Sequence, residues 1–276
     1  MNSETFVLGD EALNNSKKSL NALRSNDQES IIYLIINVKK KLIRSKDYIQ
    51  RIIPISNKIN ALTNKSVLLI TKDDQSYKSE LLKDELTQDI FNDIIPIRRL
   101  KKKNKKELVK LFKESDYIIA DHRVNKFLPN ILGSIFYHKN KKLPYILQMA
   151  RPTTDKSKLR ISKENKLKDD RCEVKYVYKQ IKSIVENTSY LPTDGDCLCI
   201  KIGMTNVSTN KIIENINDVI NYLLDEKNLP NGGVLTLNQL GNIYVKTSES
   251  ISLPISIKEE TTEINEEDEA NSDYDF

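Results

Sequence analysis

The sequence predicts an α/β chain in two units, with a parallel α/β unit inserted into an α+β unit built from both chain ends. Three observations predict it. In the centre, the apolar runs VLLIT (67–71), IIPI (94–97) and YIIA (117–120) alternate with helical patterns, as in a small parallel sheet with helical cover. Toward the ends, IIYLIIN (31–37), CLCIKI (197–202) and NIYVKT (242–247) read as strands of antiparallel character. Between the last two lies the strongest amphipathic helix of the chain, 211–224, with Ile212, Ile213, Ile216, Val219, Ile220, Leu223 and Leu224 on one wide apolar face.

The elements follow in order. Residues 10–23 read as a helix, with Leu13, Leu20 and Leu23 near helical spacing and Asp10 able to cap it. Strand 31–37 is followed by a basic turn, 39–44, and a second strand, 49–55, where Pro54 marks an edge or an end. A polar link, 56–66, leads to strand 67–71 and a helix over 77–89. Strand 94–97, a basic helix at 104–113, strand 117–120 and a helix at 124–132 complete the centre. Residues 151–171 are charged and read as a connector or a long helix, and 174–178 alternate loosely. Ser208 or Thr209 can cap the 211–224 helix, and Asn-Leu-Pro-Asn-Gly-Gly beyond it supplies the stop.

Composition narrows the function. Hydrophobic residues make up 38% and charged residues 30%, and no apolar run approaches the ~20 residues of a membrane helix. The first ten residues carry no secretory pattern. Three cysteines, Cys172, Cys197 and Cys199, fit a reducing compartment, and Cys197 and Cys199 share one strand face as half-buried thiols. With His122 and His138 far away in sequence, no metal site is expected. Net charge is +5, but residues 259–276 hold nine acids and no base, which leaves +14 on the rest. A cationic body with an acidic, disordered tail suits a polyanion binder. No Gly-rich or Walker loop follows 67–71, and the Lys72-Asp73-Asp74 loop would repel phosphate. Asp121-His122 reads as turn chemistry at a strand end and Asp194-Gly195-Asp196 as a turn, so no catalytic constellation and no cofactor is expected.

One stretch is more specific. Residues 115–145, SDYIIADHRVNKFLPNILGSIFYHKNKKLPY, carry Ala-Asp-His-Arg-Val, Leu-Pro, Leu-Gly, Phe-Tyr and Lys-Lys-Leu-Pro-Tyr in an order that resembles the ribosomal L-one-like family. VLLITKDD (67–74), IIPIRRLKKK (94–103), ENTSYLPTDGDCLCIKIG (186–203) and NGGV (231–234) extend the resemblance to about 12–255, and it is strongest to eukaryotic nucleolar members that help to assemble ribosomes. The resemblance implies a discontinuous first domain, 1–61 with 151–258, a Rossmann-like three-layer α/β domain inserted at 62–150, and the tail at 259–276. It also implies a non-enzymatic ribosome-biogenesis factor that binds pre-rRNA in early, small-subunit-processome particles of the nucleolus. Its neighbours would be other assembly factors, and it would be a monomer outside the particle. The alternatives are a structural stalk protein of the large subunit and a protein-only adaptor.

Two regions are expected to touch RNA. By resemblance, the first-strand neighbourhood and the final strand and loop do so, which puts forward Ser30, Lys39, Lys40 and Lys41, and then Lys246, Thr247, Ser248, Ser250 and Ser252. Where the family carries Thr-Met-Gly-Pro, this chain reads VKTSESISLPI, which fits a diverged assembly factor better than a mature ribosomal protein. Hydroxyls there can bond phosphate or ribose 2′-OH groups. The second region is a basic patch: Arg98, Arg99, Lys101, Lys102, Lys103, Lys105 and Lys106, joined by Lys139, Lys141 and Lys142. Residues 98–113 hold nine Lys or Arg against one acid, a density that favours a polyanionic or acidic partner. Phe136, Tyr137 and Tyr145 beside the last three lysines can stack on bases, but packing beneath the loop is the stronger reading.

Overall fold

The computed structural model describes residues 6–24, 29–42, 47–72, 75–139, 142–155, 157, 159–161, 167–192 and 195–258 of the chain. In chain order its elements are α1 (Asp10–Arg24), β1 (Ile31–Val38), β2 (Arg51–Ile53), β3 (Val67–Thr71), α2 (Gln75–Lys83), β4 (Phe91–Pro96), α3 (Ile97–Lys101), α4 (Lys105–Glu114), β5 (Tyr117–Asp121) and α5 (Leu128–Ser134). There follow β6 (Tyr145–Leu147), β7 (Arg160–Ile161), β8 (Leu167–Lys168), α6 (Val174–Glu186), β9 (Thr188–Tyr190), β10 (Cys197–Met204), α7 (Thr209–Leu224), β11 (Leu240–Lys246) and β12 (Leu253–Ser256).

The chain ends form an antiparallel sheet in the order β10-β1-β11-β12. β1 is apolar at nearly every position, yet its burial alternates. Ile32, Leu34, Ile36 and Val38 join Leu20 and Leu23 of α1 and Ile212, Ile216, Val219 and Ile220 of α7 in one core. Ile31, Tyr33, Ile35 and Asn37 turn to the opposite face, because successive side chains of a strand point to opposite sides. Each fully buried aliphatic side chain contributes roughly 1.5–3 kcal/mol. Ser208 holds the N-cap position of α7 without a side-chain bond. Past the far end of α7, Gly233 has φ +63° and donates its N–H to the Tyr222 carbonyl. A Cβ there would lie 2.6 Å from the Asp225 carbonyl oxygen, so the NGGV turn needs glycine on both counts.

The centre is a parallel sheet in the order β4-β3-β5-β6. Every side chain of β3 is buried, the mark of a strand covered on both faces. On one side Leu68, Ile70, Ile118 and Ala120 pack under Leu100, Leu108, Leu128 and Leu132 of α3, α4 and α5. On the other, Val67, Leu69 and Ile119 pack under Tyr77 and Leu81 of α2 and Val177, Ile181, Ile184 and Val185 of α6. The unit is thus three layers deep, and one helix of the third layer comes from the returning half of the chain. β2 and β9, on the two passages between the units, pair antiparallel.

The structure departs from the sequence pattern at several elements. Residues 174–178, which alternate only loosely, are the start of α6; the apolar positions that declare the helix, Ile181, Ile184 and Val185, lie past that short window. The 77–89 helix ends at Lys83, because the Asp84 carboxylate takes the Leu86 N–H at 2.9 Å and offers the backbone a turn instead. The second strand shrinks to β2, and Ile97 opens α3 instead of closing a strand. The described part of 151–171 holds the short β7–β8 pair and no long helix. Cys197 and Cys199 are exposed on their strand, not half-buried.

The basic helix is capped as its sequence allows. Asn104 accepts the Glu107 N–H at 2.9 Å, and the Glu107 carboxylate accepts the Asn104 N–H at 2.8 Å, a reciprocal capping box. Asn104→Ala is expected to lower stability by about 1 kcal/mol in urea unfolding, a larger loss than the Lys110–Glu114 surface pair represents.

Candidate nucleic-acid interface

Ser30 precedes β1, Thr205 follows β10, and Thr247 and Ser250 belong to the loop between β11 and β12. Antiparallel pairing on both sides of β1 brings these three strand ends together. Ser30 N–H donates to the Thr205 hydroxyl at 3.0 Å, and Thr205 N–H donates to the Ser30 carbonyl at 3.0 Å. Thr247 N–H donates to Ser250 Oγ at 2.8 Å, and Ser250 N–H returns to Thr247 Oγ1 at 3.2 Å, which folds the loop back on itself. The result is a cavity of about 470 Å³ lined by Ser30, Thr205, Thr247, Ser250 and Glu249 over an apolar floor of Leu23 and Leu253. Arg24, in the last turn of α1, supports it by donating to the Thr205 carbonyl and the Thr209 hydroxyl, each at 2.9 Å.

Three expected residues, Ser30, Thr247 and Ser250, therefore meet in one cavity, and Ser248 and Ser252 are exposed in the same loop. Lys246 does not join them. It sits opposite Tyr33 on the other sheet face, as the alternation of β11 demands. Lys39, Lys40 and Lys41 are exposed, but they follow the far end of β1, whose eight residues span roughly 25 Å at about 3.3 Å per residue and separate them from Ser30. Sequence reading missed Thr205 and Arg24. The signal for Thr205 was a hydroxyl directly after the CLCIKIGM strand.

Arg98, Arg99, Lys101, Lys102, Lys105 and Lys106 are exposed on α3, α4 and the bend between them, and Lys103 is half-buried. Lys103 and Lys110 have acidic neighbours, Glu107 at 4.0 Å and Glu114 at 3.6 Å. Lys101 lies over the Phe127 ring, 5.6 Å from its centre. Arg99, Lys102, Lys105, Lys106 and Lys113 make no ion pair among the described residues. Lys142 is turned inward instead. Its ammonium donates to the Phe112 and Ser115 carbonyls at 2.7 and 2.8 Å, closing the C-terminal end of α4, and burial pulls its pKa below the ordinary lysine value. Lys141 and the side chain of Lys139 lie outside the described residues. Phe136 and Tyr137 are buried, edge-on to Phe112 and Tyr48 at 5.3 and 5.1 Å between ring centres, so they pack beneath the loop.

The C-terminal edge of the parallel sheet is where open α/β sheets hold ligands, in the crevice at which the strand order reverses. Here that crevice is about 420 Å³, lined by Lys72, His122, Arg123, Gln148 and Asp169 among others. Its cations are already matched. Asp121, fully buried, takes both the backbone N–H and the guanidinium of Arg123, and Arg123 also reaches the Tyr77 hydroxyl at 3.1 Å and the Asp169 carbonyl. Lys72 pairs with Asp170 at 3.1 Å. Asp121 therefore performs the turn chemistry its sequence suggested, and Asp169 and Asp170 of the returning chain engage the crevice's Arg123 and Lys72. The thiol of Cys172 nearby is pushed up to about 12 by burial and then by Glu80, which disfavours the thiolate.

A split α+β unit carrying an inserted three-layer parallel unit is the arrangement expected of the ribosomal L-one-like class. Residues 13–251 match the Ribosomal protein L1p/L10e family, and the chain belongs to that family. It is 41% identical over 238 residues to Ribosome biogenesis protein UTP30 of Saccharomyces cerevisiae, covering 83% of this chain and 81% of that protein. It is 28% identical over 251 residues to Ribosomal L1 domain-containing protein 1 of Mus musculus, covering 87% of this chain but 47% of the mouse protein.

Proposed function

We propose that this chain is a ribosome-biogenesis factor that docks on precursor rRNA, without covalent chemistry, in early pre-ribosomal particles of the nucleolus. The reading rests on one observation above the others: α3 and α4 present a run of exposed cations, of which Arg99, Lys102, Lys105, Lys106 and Lys113 make no ion pair among the described residues. Such a surface gains by neutralising phosphates and releasing their counterions. The hydroxyl-lined cavity adds groups that can bond ribose or phosphate, and the yeast relative is named a ribosome biogenesis protein. Other assembly factors are the expected neighbours, and the free chain is expected to be a monomer.

Crosslinking of the tagged chain in cells, followed by sequencing of the bound RNA, tests this. Reads concentrated in precursor rRNA, with the protein in nucleolar fractions, are the expected result. Association with mature cytoplasmic large subunits would make it a stalk protein instead. Particle association without any RNA crosslink would make it a protein adaptor.

A further inference from the structure

The face of the antiparallel sheet turned away from α1 and α7 has a composition that a solvated face does not need. α1 and α7 lie on the other side, so this face would ordinarily be polar. Instead, β1 offers it Ile31, Tyr33 and Ile35, all half-buried. The register sets them in rows. Tyr33 stands between Lys201 of β10 and Lys246 of β11. In the next row Ile35 stands between Cys199 and Tyr244, and Tyr244 is opposite Pro254 of β12. The two tyrosines are diagonal neighbours on adjacent strands, each beside or one step from a lysine. Lys201 and Lys246 make no ion pair among the described residues, and no acidic side chain occupies these rows.

We propose that this face is a binding surface for single-stranded RNA, with unpaired bases stacking on Tyr33 and Tyr244 and their phosphates held by Lys201 and Lys246. Aromatic rings take any base by its face, and flanking lysines track the backbone; two lysines without an ion pair among the described residues, in rows that hold no acid, favour a polyanionic single strand. Burial and the nearby charge of Lys65 hold Lys201 below the ordinary lysine value, and a phosphate beside it would offset the like charge of Lys65. The cavity at the strand ends lies at the edge of the sheet and presents hydroxyls, so the two surfaces suit different parts of one transcript: a folded element at the rim and an adjoining unpaired strand across the sheet. The inference rests on the RNA-binding reading and names the class of RNA at a second surface.

The test uses the purified full chain and two probes: oligo(A) and oligo(U) of about ten nucleotides, and a folded precursor-rRNA stem. The double variant Tyr33→Leu, Tyr244→Leu is expected to weaken oligonucleotide binding about tenfold or more and to leave the stem bound as before, while Tyr33→Phe, Tyr244→Phe keeps both. Saturating oligonucleotide is also expected to slow alkylation of the exposed Cys199 thiol several-fold, a readout that needs no substitution. The inference is overturned if the oligonucleotides do not bind while the stem does, if the leucine variant binds them as the wild type does, or if it loses a protein factor and no RNA. If neither probe binds, the RNA reading itself falls.

Discussion

Asp121→Asn is expected to remove about 3 kcal/mol of unfolding free energy, the range seen when one partner of a buried ion pair is lost. Asp121 has no exposed surface, and its two oxygens face the Arg123 guanidinium. Asparagine keeps the volume and one acceptor but leaves the cation beside Tyr77 with its main counter-charge gone. Arg123 then holds only the Tyr77 hydroxyl, the Asp169 carbonyl and the distant Asp170 carboxylate at 3.9 Å. Set against a total stability of about 5–15 kcal/mol, the loss should appear in urea midpoints and as a fall of roughly 10 °C in Tm. Replacing both residues with apolar ones, Asp121→Leu with Arg123→Met, should do less damage than the single change, because no uncompensated charge stays buried. An unchanged midpoint for Asp121→Asn would mean that the carboxylate is not what holds Arg123.

The second large effect is electrostatic. Reversing Lys101, Lys102, Lys105 and Lys106 to Glu should lower affinity for a precursor-rRNA fragment by on the order of a hundredfold in about 0.1 M salt. The slope of log affinity against log salt should flatten by about three, from ~0.7 per lost phosphate contact on a single strand. All four side chains are exposed, and among the described residues the contact that is disturbed is that of Lys101 with Phe127. The fold should therefore survive, as a far-ultraviolet spectrum and an unchanged melting curve would verify. If these lysines are merely solvated, both affinity and slope stay put.

The sequence made much of this legible, for identifiable reasons. β3 and β5 are continuous apolar runs, and burial on both faces is what such runs are for. The basic helix at 104–113 was placed from its sequence pattern, whereas its Asn104-x-x-Glu107 capping box, although local, went unread. α6 was lost because its first residues alternate only loosely and its partner surface is a sheet about a hundred residues earlier. β9 and β12 escaped because three or four residues carry too little periodicity to declare a strand. At the cavity, Ser30, Thr247 and Ser250 were reachable through family resemblance, whereas Thr205 required knowing which strand ends meet. The separation of Lys39, Lys40 and Lys41 from Ser30 was hidden for the opposite reason: they are neighbours in sequence, with an extended strand between them. Lys142 read as surface charge because nothing local announces that two carbonyls at the end of α4 will claim it.

The borrowed layer has a bearing on how the molecule is born. β1 emerges early during synthesis, but its partners β10 and β11 follow only after the whole inserted unit, and the parallel sheet lacks α6 until residue 186 has been made. Neither body can close its apolar side while the peptide is still short. The early strands therefore wait, with greasy flanks open, for the last third of the polypeptide, and a helper that shields IIYLIINV on the nascent chain would act in that interval.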